Sequence, residues 1–166
     1  MKPPGNGVCL FSEDRKYRYS LWRCWGDLLD QSDEYVAFLC LNPSIADETI
    51  DDNTVRRCIG FSKRWGYSNY CMLNLFGYRS TDPLAMLAEP DPIGPINDAT
   101  ILEISKGASI LICAWGNHGA HRNRHWDVTG MLQNAGVKLM RLGALTSTGQ
   151  PRHPLYLAGH MDPEPL

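Results

Sequence analysis

An α/β fold with a mainly parallel sheet follows from three features of the sequence. Four apolar runs have strand length: Tyr35 to Leu41, Tyr70 to Asn74, Ala108 to Ala114 and Val137 to Leu142. Between them lie segments with helical periodicity, and strands that alternate with helices favour parallel pairing between helical layers. The length of 166 residues suits one domain with a full core, so residues 1–166 are expected to form a single three-layer α/β/α unit.

The elements are justified in chain order. Tyr17 to Trp25 alternates bulky and polar residues, as a strand with one buried face does, and Gly26 and Asp27 end it. This N-terminal strand is expected to add to the four-stranded sheet in antiparallel sense. Tyr35 to Leu41 is continuous in apolar character, which fits a central strand covered on both faces. It stops at Asn42-Pro43, because proline cannot donate to a ladder. Asp51, Asp52, Asn53 and Thr54 bring capping oxygens and acids to a helix start, and Gly66 stops that helix. Tyr70 to Asn74 is a second short strand. A long loop with Pro83, Pro90, Pro92, Gly94 and Pro95 follows it. Asn97 or Asp98 is expected to cap the next helix. A helix over Trp126 to Ala135 ends at Gly136.

Composition narrows the class. Hydrophobic residues make up 43% and charged residues 20%, which excludes a disordered tail, a coiled coil and a fibrous repeat. The net charge of −2 means that any nucleic-acid contact needs a local basic patch. No stretch has the about 20 apolar residues of a membrane span, so no membrane partner is expected. Met1 to Gly7 lacks the apolar core of a signal peptide. The six cysteines form no Cys-x-x-Cys pair and sit mostly in apolar runs, as free thiols of a cytoplasmic protein would. No metal or other cofactor is expected, and the chain is expected to be a monomer.

In parallel α/β sheets, ligands bind beyond the carboxyl ends of the strands. Four loops therefore carry the candidate chemistry. The first, Asn42 to Asn53, holds Asn42, Ser44 and the carboxylates Asp47, Glu48, Asp51 and Asp52, any of which suits a general base. The second begins at Asn74, whose amide can read donor and acceptor edges of a base. Phe76 and Tyr78 could stack on that base, and Arg79 could hold a phosphate. The third holds Trp115, Asn117, His118, His121 and His125. Its histidine spacing invites a metal, but Arg122 and Arg124 would repel one, so a phosphate-facing patch is the better reading. The fourth ends at Arg152 and His153-Pro154, where the proline restricts the backbone and fixes the direction of His153. A neutral imidazole there can donate to a developing anion.

Taken together, three motifs resemble the uracil-DNA glycosylase superfamily. Asn42-Pro43 is similar to its first catalytic motif, which has Asn-Pro-Gly in the mismatch-specific and thymine branches and Asp-Pro in the main uracil branch. Leu73-Asn74 resembles the strand-end pair whose amide reads uracil. His153-Pro154 resembles its late His-Pro motif, with Leu157 where a duplex-wedging leucine would stand. Asn74 to Pro83 also resembles a stretch of the iron–sulfur branch, whose clustered cysteines are absent here. Ser44 stands in place of that glycine, and the Ser-Pro that follows the superfamily's His-Pro is missing.

The resemblance implies a glycosylase-like three-layer fold and base excision. His153 would stabilise the departing base, Asn42 would position water with help from Asp47 or Asp51, and Asn74 would read the base edge. Arg79, Arg124 and Arg152 would meet phosphates. The whole chain also resembles an uncharacterised bacterial and phage family. Its marks are Tyr-Arg-Tyr, Asn-Pro-Ser-x-Ala, Asn-Leu-Phe, Trp-Gly and Pro-Arg-His-Pro-Leu-Tyr. Nucleic acid or a nucleotide is the expected partner. A binding module without catalysis and an enzyme of free modified nucleotides are the alternatives.

Overall fold

The structure is a computed structural model that describes residues 2–26 and 32–166; the break expected at Asp27 lies outside them. Among the described residues, a seven-stranded mixed sheet is accompanied by four α-helices. The strands are β1 (Cys9–Phe11), β2 (Arg18–Cys24), β3 (Val36–Cys40), β4 (Asn69–Asn74), β5 (Ile110–Cys113), β6 (Leu139–Leu142) and β7 (Pro163–Pro165). The helices are α1 (Asn53–Arg64), α2 (Pro83–Ala88), α3 (Asn97–Gly107) and α4 (Arg124–Asn134).

The sheet order is β1-β2-β4-β3-β5-β6-β7. The four apolar runs are the parallel strands β4, β3, β5 and β6, and the N-terminal strand β2 joins β4 in antiparallel sense. The short edge strands β1 and β7 have too few residues to show a period, and sequence reading did not identify them.

Strand alternation sends successive residues of β3 into different halves of the core. Ala37 and Leu39 pack with Ile101, Ile104, Val128 and Leu132 of α3 and α4. Val36, Phe38 and Cys40 pack with Val55, Cys58 and Phe61 of α1. Trp22 belongs to the first cluster, and Trp25 and Trp65 pack on the second, so all three tryptophans serve the core. Burial pushes the thiols of Cys58, Cys71 and Cys113 well up, which keeps them protonated and unreactive.

One local expectation is sharpened and two are corrected. Asp52, one of the four capping candidates, caps α1 by accepting from the Val55 N–H at 2.8 Å. The start of α3 has no side-chain cap; Asn97 is buried, and its Nδ2 donates to the carbonyls of Asn74 and Leu75. The second loop contains α2, which Pro83 opens and Asp82 caps. No described helix is long and apolar enough to cross a membrane.

Candidate active site

A cavity of about 380 Å³ opens beyond the carboxyl ends of β3 and β5. Asn42 and Ser44 follow β3, Trp115, Asn117 and His118 follow β5, and His153 and Tyr156 come from the loop after β6. Asp52 and Thr54 enter from the start of α1, and Ser80 and Thr81 from the loop after β4. The floor includes Cys40, Met72 and Arg18, since antiparallel β2 begins at this edge.

Asn42 ties two of these loops together. Its Nδ2 donates to the Ser80 carbonyl at 2.8 Å and to the Pro43 carbonyl at 3.0 Å. Both amide hydrogens are thereby committed, and Oδ1 remains as an acceptor. The Trp115 indole donates to Gln150 Oε1 at 2.8 Å, and the Gly116 N–H donates to the Pro151 carbonyl at 2.9 Å. These bonds hold the third loop against the fourth. Gly119 lets Trp115 lie flat, because a Cβ there would stand 2.0 Å from the indole. Thr148 donates to the Asn117 side-chain oxygen at 2.8 Å.

His153 is half-buried and precedes a short 3₁₀ turn over Pro154–Tyr156. Its Nδ1 accepts from the Leu155 N–H at 3.4 Å, so Nε2 carries the proton of the neutral ring. Burial lowers its pKa, and the Asp52 carboxylate opposes that only in part. The imidazole is therefore a neutral donor at neutral pH.

The structure gathers Asn42, Ser44, Trp115, Asn117 and His153 around one cavity. The other candidates lie elsewhere. Asp47 Oδ1 accepts from the N–H groups of Thr49 and Ile50, which close a turn and lower its pKa. Asp51 pairs with Arg23 at 2.7 Å. Asp52 is the carboxylate on the cavity wall.

Phe76 is core, its ring 5.9 Å from that of His121. Tyr78 meets the edge of Tyr17, and Arg79 stacks over Phe11. Tyr78 and Arg79 line a neighbouring groove of about 370 Å³ with Arg15 and Lys16, and that groove shares Ser44, Ser80 and Thr81 with the cavity. Arg124 is buried and bonded to the Leu75 carbonyl and Asp98, so it braces the loop after β4 instead of facing a phosphate. Arg152 Nε donates to the Ala144 carbonyl at 2.9 Å. Leu157 is only 7% exposed and packs on α1, whose Arg57 takes its carbonyl, so it does not project as a wedge.

Asn74 is fully buried, and neither Oδ1 nor Nδ2 has a partner. It pairs with Cys40 and stands two residues from Met72, so alternation puts it on the sheet face that these two present to the cavity. The histidines of the third loop diverge. His118 reaches the cavity wall, His121 packs on Phe76, and His125 packs on Trp126 at 4.8 Å. Among the described residues, no group of three or more His, Cys, Asp or Glu side chains has a metal-binding arrangement.

Sequence reading missed Arg18, Thr54, Ser80, Thr81 and Tyr156 as wall residues. Arg18 carried no signal of this, because it stands with Ser20 in the polar register of an alternating strand, where a solvent-facing residue is expected. No curated protein and no solved structure matches the chain. Residues 18–155, which run from the buried arginine of the cavity floor past its histidine, match the family described as "Protein of unknown function (DUF1643)", and the chain belongs to that family.

Proposed function

We propose that this protein hydrolyses a base–sugar bond in a nucleotide, either free or flipped out of a nucleic acid, and that the cavity receives the base and sugar. The neutral, directionally fixed imidazole of His153 in the cavity wall carries this reading. Cleavage of an N-glycosidic bond sends the bonding pair to the base and leaves oxocarbenium character on the sugar. His153 Nε2–H donates to the departing base, where negative charge develops. Asn42 Oδ1 accepts a hydrogen bond from the attacking water, and that hydrogen stays on the oxygen as part of the new sugar hydroxyl. Asp52 is the wall carboxylate that offsets the sugar's positive charge and takes the water's second proton, the role expected of Asp47 or Asp51.

The motif resemblance to the uracil-DNA glycosylase superfamily supports this reading, as does the division of the core into clusters about a parallel sheet, which fits a three-layer glycosylase-like architecture. The buried Leu157 and the committed Arg124 favour a nucleotide-sized substrate over a duplex. The groove with Arg79 offers the nearest basic surface for an attached strand.

The test offers the pure protein single- and double-stranded oligonucleotides carrying uracil, hypoxanthine, oxidised or mismatched bases, together with the matching free nucleotides. Released base and alkali-labile sites are measured. Release from one substrate class is expected, falling about 10²–10⁴-fold in His153→Ala and also in Asn42→Ala. Binding without release from any member would replace hydrolysis by a binding module.

A further inference from the structure

Arg18 opens β2 and is 0% exposed. Its Nη1 donates to the Ala46 carbonyl at 2.7 Å. Nη2 has only the Met72 sulfur at 3.5 Å, and Nε has no partner. Among the described residues, none of the ion pairs involves Arg18. The fork formed by Nε and Nη2 thus lacks an oxygen acceptor, and Arg18 is one of the residues that line the cavity. A buried guanidinium without a counter-charge is costly, and the native fold here keeps one.

We propose that Arg18 is the receptor for an oxyanion of the ligand, a phosphate or a carboxylate that seats two oxygens on its Nε–Nη2 fork. Planar bidentate recognition of this kind is what arginine does best. Ser44, Ser80 and Thr81 add hydroxyls to the same cavity. Asp52 is the one carboxylate among the described wall residues, and it is committed to the α1 cap through Oδ1. Asp52 also acts electrostatically on Arg18, so it offsets part of the guanidinium charge without bonding to it. This proposal deepens the base–sugar reading and rests on it for the remainder of the ligand; the anion is then the nucleotide's own phosphate or a carboxylate on its base.

Calorimetric titration of the full chain separates the two sources. Uridine and its 5′-monophosphate form one pair of probes, and uracil and 6-carboxyuracil form the other. The anionic member of one pair is expected to bind at least about tenfold more tightly than its neutral partner. Arg18→Met is expected to abolish that advantage, and Arg18→Lys, which keeps the charge without the fork, to retain part of it. Circular dichroism verifies folding of both variants. If Arg18→Met does not fold, Arg18→Lys carries the test: an undiminished advantage would overturn the assignment to Arg18. Equal affinity within both pairs for the native protein would overturn the oxyanion seat.

Base release is measured in the same samples. Arg18-dependent binding without release would keep the seat and discard the hydrolytic reading. Equal release from the nucleoside and the nucleotide, unchanged in Arg18→Met, would keep hydrolysis and discard the seat.

Discussion

Strand β4 begins and ends with a buried asparagine, and the two are treated oppositely. Asn69, 7% exposed, donates through Nδ2 to the carbonyls of Ser32 and Glu34 at 2.7 and 3.0 Å. Asn74, five residues on, is 0% exposed and leaves all of its amide hydrogen-bonding capacity unused. The buried arginines repeat the contrast. Arg124 has a backbone carbonyl and a carboxylate, whereas Arg18 has a carbonyl, a sulfur and an orphaned Nε. Asn69 and Arg124 brace the fold, while Asn74 and Arg18 lie on or beside the floor of the cavity. Unpaired polar groups cost stability; several occur among the described residues, and Arg18 is the one of them that lines the cavity, where a ligand could satisfy it.

The contrast can be broken by substitution. The largest effect is expected from Arg124→Met, which strips the Leu75 carbonyl of a donor and leaves Asp98 alone. A loss of about 2–4 kcal/mol in urea unfolding is expected; a loss below about 1 kcal/mol would show that this arginine is no brace. Asn69→Leu comes next, at about 1–2 kcal/mol, because two carbonyls lose a donor. Asn74→Leu should leave stability unchanged or raise it by up to about 1 kcal/mol, because an unsatisfied amide is removed. Base release should nevertheless fall in that variant. If Asn74→Leu unfolds the protein as readily as Asn69→Leu does, the two ends of β4 do not differ and Asn74 is structural.

The smallest effect concerns pH. Burial lowers the pKa of His153, so as pH falls the unfolded chain takes up its proton first, near the ordinary value of 6.5. Folding stability is therefore fully retained above that value. It declines as pH drops through 6.5 toward the lower folded pKa. His153→Gln should flatten this slope in thermal denaturation below pH 6.5. The lowered carboxyls of Asp47 and Glu48 act in a separate, more acidic window, where their stabilising bonds are lost on protonation. A slope unchanged in His153→Gln would assign the near-neutral loss to another group.

Much of the site was legible because of where the parallel strands stop. Asn42-Pro43 and Trp115-Gly116 follow apolar runs, and a strand covered on both faces delivers the next residue to its carboxyl edge whatever the loop does afterwards. Asp47, Asp51 and Asp52 were indistinguishable as acids in one loop. Choosing among them needed the turn closed by Asp47, the partner Arg23 on β2, and the α1 start that carries Asp52 to the wall. Leu157 and Arg124 misled for a similar reason: an apolar or charged residue near a loop can turn inward once a helix lies beside it, as α1 and the Leu75 carbonyl do here.

The sequence by itself determined the central strands, the helices between them, the parallel centre of the sheet and the edge at which the cavity opens. Those properties follow from local periodicity and from the chirality of strand–helix–strand connections. Only the tertiary structure decided which polar groups are paired. Arg18 and Asp52 lie far apart in the chain, and antiparallel β2 and the cap of α1 bring them to the same cavity. Hydrogen-bond satisfaction depends on partners distant in sequence, and so the orphaned Nε of Arg18 and the unpaired side-chain amide of Asn74 emerge only when the chain is folded.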